Sequence, residues 1–518
     1  MSKPVYLTVA IASVALSTAA ALSDAAPVDA APPVARTAPA CTPDPHYAKH
    51  DMRGMWIASV TNIDWPSKPG LSAAQQKAEL IALFEVAQAN NMNAVMLQVR
   101  PTADTFWRSK LEPWSHWLTG GQGQDPGYDP LGFAVEEAHA RGLELHAWFN
   151  PFRIAMDESG SLLSPDHPAR RHPEWTVSYG GKLYYNPGIP AAREHSMAVI
   201  LEAVKNYDID AVHFDDYFYP YPEKDKRFND AAQYAAYGGG KSLGDWRRAN
   251  IDALVGELGK RIKAIKPHVQ FGISPFAVWR NAATDPTGSP TTAGAQTYDD
   301  LYADTRKWAQ TGMVDYILPQ IYWHRAHPAA PYDGIADWWV KETRGKRVNL
   351  YIGQATYRVG SNDKEWATPR ELVSHLDYNQ RHGSAIQGNV YFSAKSVADN
   401  KLDAQGLVAR LWYQKPALTP RVPWIDGKAP EAPKRARWIG RTLSWQAVPD
   451  AARYMVYRVA KPQAAVTNCD IADTRNLVTI VSAPTTAMDF AGGREKGVTY
   501  LVSALDRGSN ESAAAFVM

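Results

Sequence analysis

The 518 residues predict an α/β fold: a (β/α)8 barrel followed by a small all-β sandwich. Three observations carry that expectation. From residue 53 to about residue 412, eight apolar, β-branched runs alternate with longer helical patterns. The runs are nearly continuous in apolar residues, as strands covered on both faces are. Beyond about residue 430 the texture changes to short alternating strands with turn residues between them.

The chain opens MSKPVYLTVAIASVALSTAAALSDAA, with one lysine, an apolar stretch from Val5 to Leu22 and small residues suited to a signal peptidase. Residues 1–26 therefore read as an export signal, which places the protein in the periplasm or outside the cell. The Ala/Ser-rich stretch dissolves into an Ala/Pro linker over 27–50, which argues against a retained membrane anchor. The only cysteines are Cys41 and Cys469. In an exported chain they suggest one disulfide, with two free thiols as the alternative.

The barrel is expected over 51–415. Its strands read RGMWIASV (53–60), NAVMLQVR (93–100), LELHAWFNP (143–151), DAVHFDDYF (210–218), VQFGISPF (269–276), VDYILPQIYW (314–323), NLYIGQATY (349–357) and GNVYFSA (388–394). Between them lie helix-like segments such as AAQQKAELIALFEVAQANN and PLGFAVEEAHARG, ended by Asn or Gly as helix stops are. A Pro/Lys/Arg-rich joint over 416–429 and just beyond leads to residues 430–518. There L-S-W, followed about ten residues later by Y-M-V-Y-R, resembles a fibronectin type III module, expected to be a spacer or binding accessory.

Composition removes several function classes. Lys and Arg total 55 against 53 Asp and Glu with no block of like charge, so no nucleic-acid footprint is expected. No phosphate-cradling Gly-rich loop, serine elbow or catalytic-cysteine setting appears, so no cofactor is expected. The histidines show no HxH or HExxH spacing, so no metal is expected, although FDD with scattered histidines leaves a metal-dependent deacetylase as a rival. The 18 Trp and 25 Tyr exceed the needs of a core, and flat rings stack on sugar faces. Trp65, Trp107, Trp148, Tyr217, Tyr219, Tyr322 and Trp323 are candidate platforms.

Strand parity then selects a site. In Ala211-Val212-His213-Phe214-Asp215, Val212 and Phe214 suit the helix side, which puts His213 and Asp215 inside. The same alternation sends Gln98 and Arg100, then His146, Trp148 and Asn150, then Ser274, Gln320, Tyr322 and Gln354 inward. Polar residues near the C-terminal ends of six strands describe a polar mouth, where active sites of such barrels lie. Asp215 is the one carboxylate among them. Arg100 and His213 are expected to bias its charge. Asp216 reaches the mouth only if the chain bends at the strand end, which Pro220 and Pro222 favour. Otherwise it caps the next helix or pairs with Arg153 or Arg247.

MRGMWIASVTNIDWPS, NAVMLQVRPTADTFW, HAWFNPFRI, DAVHFDDYFYPYP and YILPQIYW together resemble the bacterial glycosyl-hydrolase-like 10 family, also called the domain of unknown function 187 group, over residues 50 to 412. The resemblance implies an exported barrel enzyme that cuts glycosidic bonds in bacterial cell-wall glycan, specifically peptidoglycan strands stripped of their peptides. Cell-envelope or division proteins are further candidate partners, and a monomer is expected. The carboxylate pattern leaves two routes open. Adjacent acids after strand four suit a substrate-assisted mechanism, in which a 2-acetamido group is the nucleophile, one of Asp215 and Asp216 polarises it and the other is the general acid/base. The alternative pairs Asp215 with Asp64, Asp104 or Asp216 in two-carboxylate hydrolysis. A barrel that binds glycan without cutting it is the rival outside the enzyme class.

Overall fold

The computed structural model describes residues 41–518; the export signal read over 1–26 and the linker residues 27–40 lie outside them. In chain order the first strands are β1 (Met52–Ile57), β2 (Ala94–Arg100), β3 (Glu144–Phe149), β4 (Arg153–Ala155), β5 (Thr176–Tyr179), β6 (Lys182–Tyr185), β7 (Ala211–Phe214), β8 (Gln270–Ile273), β9 (Tyr316–Ile317), β10 (Asn349–Leu350), β11 (Ile352–Gln354) and β12 (Gly388–Tyr391). Nine of them form one parallel sheet in the order β10-β9-β8-β7-β3-β2-β1-β12-β11. Because β10 and β11 are the two halves of one strand, split at Tyr351, the two ends of that order meet and eight strands close a barrel. The short antiparallel sheet β4-β6-β5 is an excursion between β3 and β7.

Local chemistry sets the helices between the strands. Ser72 and Gln75 form a reciprocal capping box for the helix Ala73–Ala89, and Asp129 caps Pro130–Ala140 through the amide of Gly132 with proline in the first turn. The outward residues Val95, Leu97, Leu145, Ala147, Phe149, Val212 and Phe214 pack in one core with helix residues such as Leu80, Phe84, Leu131 and Ile251. Trp56, Met96, Trp148, Tyr316 and Tyr351 form a second core inside the ring. Each fully buried large apolar side chain contributes roughly 1.5–3 kcal/mol.

The N-terminal end of the barrel is closed by the segment that follows it. Asn93 donates to the carbonyls of Asp51 and Ala417, Asn349 donates to the carbonyl of Arg421, and the Trp424 indole donates to Asp315 at 2.9 Å. The joint expected as a linker over 416–429 is therefore packed against the barrel. Beyond it, β13 (Arg437–Ile439), β14 (Thr442–Ser444), β15 (Arg453–Val459), β16 (Leu477–Ser482), β17 (Ala487–Asp489), β18 (Thr499–Leu505) and β19 (Ala515–Phe516) make two antiparallel sheets, β13-β14-β17 and β16-β15-β18-β19. Strand β15 is buried on both faces. Tyr454 and Val456 meet Leu443 and Trp445 of the smaller sheet, whereas Met455 and Tyr457 pack with Leu418 of the joint. Arg453 reaches Glu144 of β3 at 3.3 Å, and Lys49 reaches Glu511 at 2.5 Å, so this unit is docked on the barrel end rather than spaced away from it. Cys41 and Cys469 are joined in a disulfide. No helix among the described residues is long and apolar enough to cross a membrane.

Candidate active site

The barrel interior carries a directed column of hydrogen bonds beneath the mouth. The Trp56 indole donates to His213 Nε2 at 3.0 Å, so the neutral ring keeps its proton on Nδ1 and gives it to the Tyr316 hydroxyl at 2.9 Å. That hydroxyl donates to His146 Nδ1 at 2.9 Å, and His146 Nε2 faces Glu144 at 3.2 Å. Thr419 and Arg453 complete the coordination of Glu144. Burial, then the neighbouring His146, holds His213 well below its usual range, so it stays neutral. His146 and His213 are therefore fully engaged groups of the barrel interior. Neither touches Asp215, contrary to the expectation that His213 biases its charge.

Above the column, β7 ends at Phe214 and the chain bends. The amide of Tyr217 donates to Asp215 Oδ1 at 3.0 Å. The Trp148 indole donates to Oδ2 at 3.0 Å, and the Asn150 amide lies 3.3 Å from both oxygens. Asn150 is itself fixed, because its own oxygen accepts the amide of Arg153 at 2.8 Å. The bend turns Asp216 toward Gln320, whose amide donates to Asp216 Oδ1 at 3.2 Å and to the carbonyl of Ser274 at 2.8 Å. The Tyr221 hydroxyl donates to Asp216 Oδ2. The two acids are only 5% and 8% exposed.

Both carboxyls are held above the ordinary range. Asp215 is pushed up to about 6, first by burial and then by the charge of Asp216, against the opposing pull of Arg153. Asp216 is raised by burial, with Tyr221 and Gln320 working in the other direction. Two interacting carboxyls titrate as a pair, so one proton is held on the pair above the ordinary carboxylate range. The position of that proton follows from the neighbours. Every partner of Asp215 is an N–H that can only donate, which favours the ionised form. Tyr221 beside Asp216 is a hydroxyl that can turn and accept, so a protonated Asp216 keeps its contacts, whereas burial and charge act the other way and push Asp215 up to about 6.

Other expected site residues fall into three groups. Tyr217, 39% exposed, lies beside Asp215 under the guanidinium of Arg153, whose carbon is 5.2 Å from its ring centre. Tyr322 is half-buried against Phe392 and Tyr357, and Trp323 packs edge-on to Phe276, which in turn meets Tyr221. These rings belong to the surroundings of the acid pair. Trp65 and Trp107 are wholly buried, and Tyr219 is buried against Phe228 and Tyr302; these three belong to the core.

The remaining residues point elsewhere for identifiable reasons. A bulge between Gln98 and Arg100 sets Arg100 opposite the outward Phe149, so its guanidinium leaves the mouth and clamps Glu112 at 2.6 and 2.7 Å. In β11 the inward position is Gly353, whose missing side chain leaves room for Trp56, and Gln354 turns outward to His375 at 2.8 Å and Tyr332 at 2.9 Å. Asp64 binds the amides of Ala58 and Lys395 and the Ser393 hydroxyl, tying the loop after β1 to the segment after β12. Asp104 is held by Thr102, the amide of His116 and Gln122 inside its own loop. Neither shares a hydrogen-bond partner with Asp215. Tyr221 is a partner of Asp216 not among the expected site residues; its sequence signal is a hydroxyl five residues beyond Asp216 in the same Pro-broken run. Among the described residues no three His, Cys, Asp or Glu side chains are grouped to hold a metal ion.

The family model described as Glycosyl hydrolase-like 10 matches residues 51–368, the stretch that contains the acid pair and its donors. The chain belongs to this glycosyl hydrolase family. It is 48% identical over 479 residues to glycosyl hydrolase YngK of Bacillus subtilis, covering 90% of this chain and 92% of that one. It is 40% identical over 404 residues to glycosyl hydrolase DigH of Escherichia coli K12, covering 73% and 90%. Among solved structures, the glycoside hydrolase domain of PgaB (BpsB) from Bordetella bronchiseptica gives a TM-score of 0.45 at 12% identity, covering 70% of this chain and 98% of that one. The enzyme class is glycoside hydrolase, as the family and both relatives have it.

Proposed function

We propose that this glycoside hydrolase is exported and cuts the glycan of bacterial cell walls, with peptide-free peptidoglycan strands as substrate, by substrate assistance. The observation that carries the mechanism is the division of labour between adjacent acids: Asp215 is fenced by N–H donors alone and Asp216 sits beside a reversible hydroxyl. The Asp215 carboxylate accepts the N–H of the 2-acetamido group and makes its carbonyl oxygen a better nucleophile. That oxygen bonds to the anomeric carbon as the glycosidic C–O bond breaks, and Asp216 gives its proton to the leaving oxygen. Asp216, now ionised, takes a proton from the water that opens the cyclic intermediate and restores the acetamide.

The disulfide between Cys41 and Cys469 supports export, since such bonds persist in oxidising compartments. The substrate reading is tested by incubating the purified protein with intact and amidase-stripped sacculi and identifying the released ends by mass spectrometry. Fragments from stripped sacculi are expected; their absence from both preparations favours a barrel that binds glycan without cutting it. Substrate assistance is tested with N-deacetylated strands, which should resist cleavage. Equal cleavage of acetylated and deacetylated strands means that Asp215 and Asp216 work as a two-carboxylate pair.

A further inference from the structure

Arg153 stands out among the cations near the site. It is 6% exposed, its Nε donates to the carbonyl of Pro101 at 3.1 Å, and no carboxylate lies within 4 Å among the described residues. Its terminal nitrogens make no hydrogen bond and are not sealed from solvent. A buried guanidinium meant to neutralise an acid looks different in this same fold: Arg100 grips Glu112 with two hydrogen bonds. Arg153 instead lies over the half-exposed ring of Tyr217, close enough to feel both aspartates but bonded to neither. Four N–H groups of a planar fork thus have no hydrogen-bond partner in the protein, beside the acid pair. That arrangement is complementary to a carboxylate brought in by a ligand.

We propose that Arg153 determines specificity by pairing with a free carboxylate on the sugar chain next to the scissile bond. The inference rests on the reading of the substrate as peptide-free peptidoglycan. Its N-acetylmuramic acid units carry a 3-O-lactyl group, which ends in a free carboxylate once the peptide has been removed and in a neutral amide while the peptide is attached. A guanidinium fork with no internal partner favours the first form, because an amide leaves part of the fork unpaired and the cation uncompensated.

The test uses the full chain and two substrates: stripped glycan strands with free lactyl carboxylates, and the same strands with those groups converted to methylamides. The wild type is expected to cut the free form with a kcat/KM at least tenfold higher. Arg153→Gln should lose at least tenfold more on the free form than on the methylamide, over whatever loss common to both substrates follows from its charge on the aspartates, which abolishes the preference, while Arg153→Lys should keep part of it. Equal losses on both substrates overturn the proposal, since they mean that Arg153 acts only through the charge of the aspartates. Equal rates of the wild type on both overturn it without any variant. If the wild type cuts neither substrate, the substrate reading itself fails and the proposal falls with it.

Discussion

Glu112 and Asp215 are both almost wholly buried, both follow barrel strands, and they titrate in opposite directions. Burial pushes each one up. At Glu112 the guanidinium of Arg100 and the ring of His195 outweigh burial and hold the carboxyl at about 2. At Asp215 the near neighbours are N–H dipoles and a second acid, and the carboxyl is pushed up to about 6. A carboxylate that serves structure is given a full counter-charge, whereas one poised for chemistry is left with partial charges and a rival. The difference yields predictions of opposite sign at the two places.

The largest expected effect is on catalysis. Asp216→Asn keeps a side chain that Gln320 and Tyr221 can still contact but cannot protonate a leaving oxygen, so cleavage of stripped glycan should fall by about 10²- to 10⁴-fold. Counting new reducing ends checks this, with circular dichroism showing that the fold persists. A loss of less than threefold would remove Asp216 from the chemistry. The next effect is on stability. Glu112→Gln leaves Arg100 buried without its counter-charge and should cost about 3–5 kcal/mol of unfolding free energy, read from denaturant titration. The wild-type contribution has a defined window: it is present above the ordinary glutamate value of about 4.3 and is lost as pH falls toward about 2.

Asp215 supplies the reverse case. Its folded-state value lies above the unfolded one, so the folded state binds more protons and stability falls as pH rises from about 4 through about 6. Removing the titrating carboxyl should therefore flatten this pH dependence. Asp215→Asn is expected to lose most of the fall in stability between pH 4 and pH 7 while nearly abolishing cleavage, although its amide nitrogen faces the N–H donors of Trp148, Asn150 and Tyr217 and costs stability at both pH values. Unfolding measured at pH 4 and pH 7 separates the two effects, because the packing cost is the same at both. A variant whose stability falls as steeply as that of the wild type contradicts the account.

The eight barrel strands were legible because parallel strands covered on both faces must be apolar nearly throughout, and the runs from RGMWIASV to GNVYFSA satisfy that. Parity located His146, Trp148, His213 and Asp215 on the inner face because β3 and β7 are regular. It failed at Arg100, where a bulge after Gln98 shifts the count, and at Gln354, where the inward residue is Gly353 and has no side chain to reveal it. Asp64 and Asp104 looked like mouth residues because loops after strands overhang the site. Their roles as loop ties depend on partners such as Ser393, 329 positions away, which no local pattern announces. The bend that brings Asp216 beside Gln320 was signalled by Pro220 and Pro222. Its partner Tyr221, lying between those prolines, was hidden among other aromatics.

Tyr221 allows the smallest and most discriminating test. Its hydroxyl stabilises the ionised form of Asp216, so removing it should raise the apparent value of that carboxyl and leave the proton in place to higher pH. A hydrogen bond to a charged group is worth about 1.5–3 kcal/mol, which corresponds to a shift of about one to two pH units. Tyr221→Phe should therefore move the alkaline limb of the rate profile upward by about that amount, with only a modest change in rate near neutrality. If Tyr221 merely fills space, the variant should lower the whole profile without moving its limbs. If Asp215 rather than Asp216 carries the proton, the alkaline limb should stay in place, because Tyr221 does not touch Asp215. That one substitution therefore distinguishes which of the two adjacent acids gives up its proton.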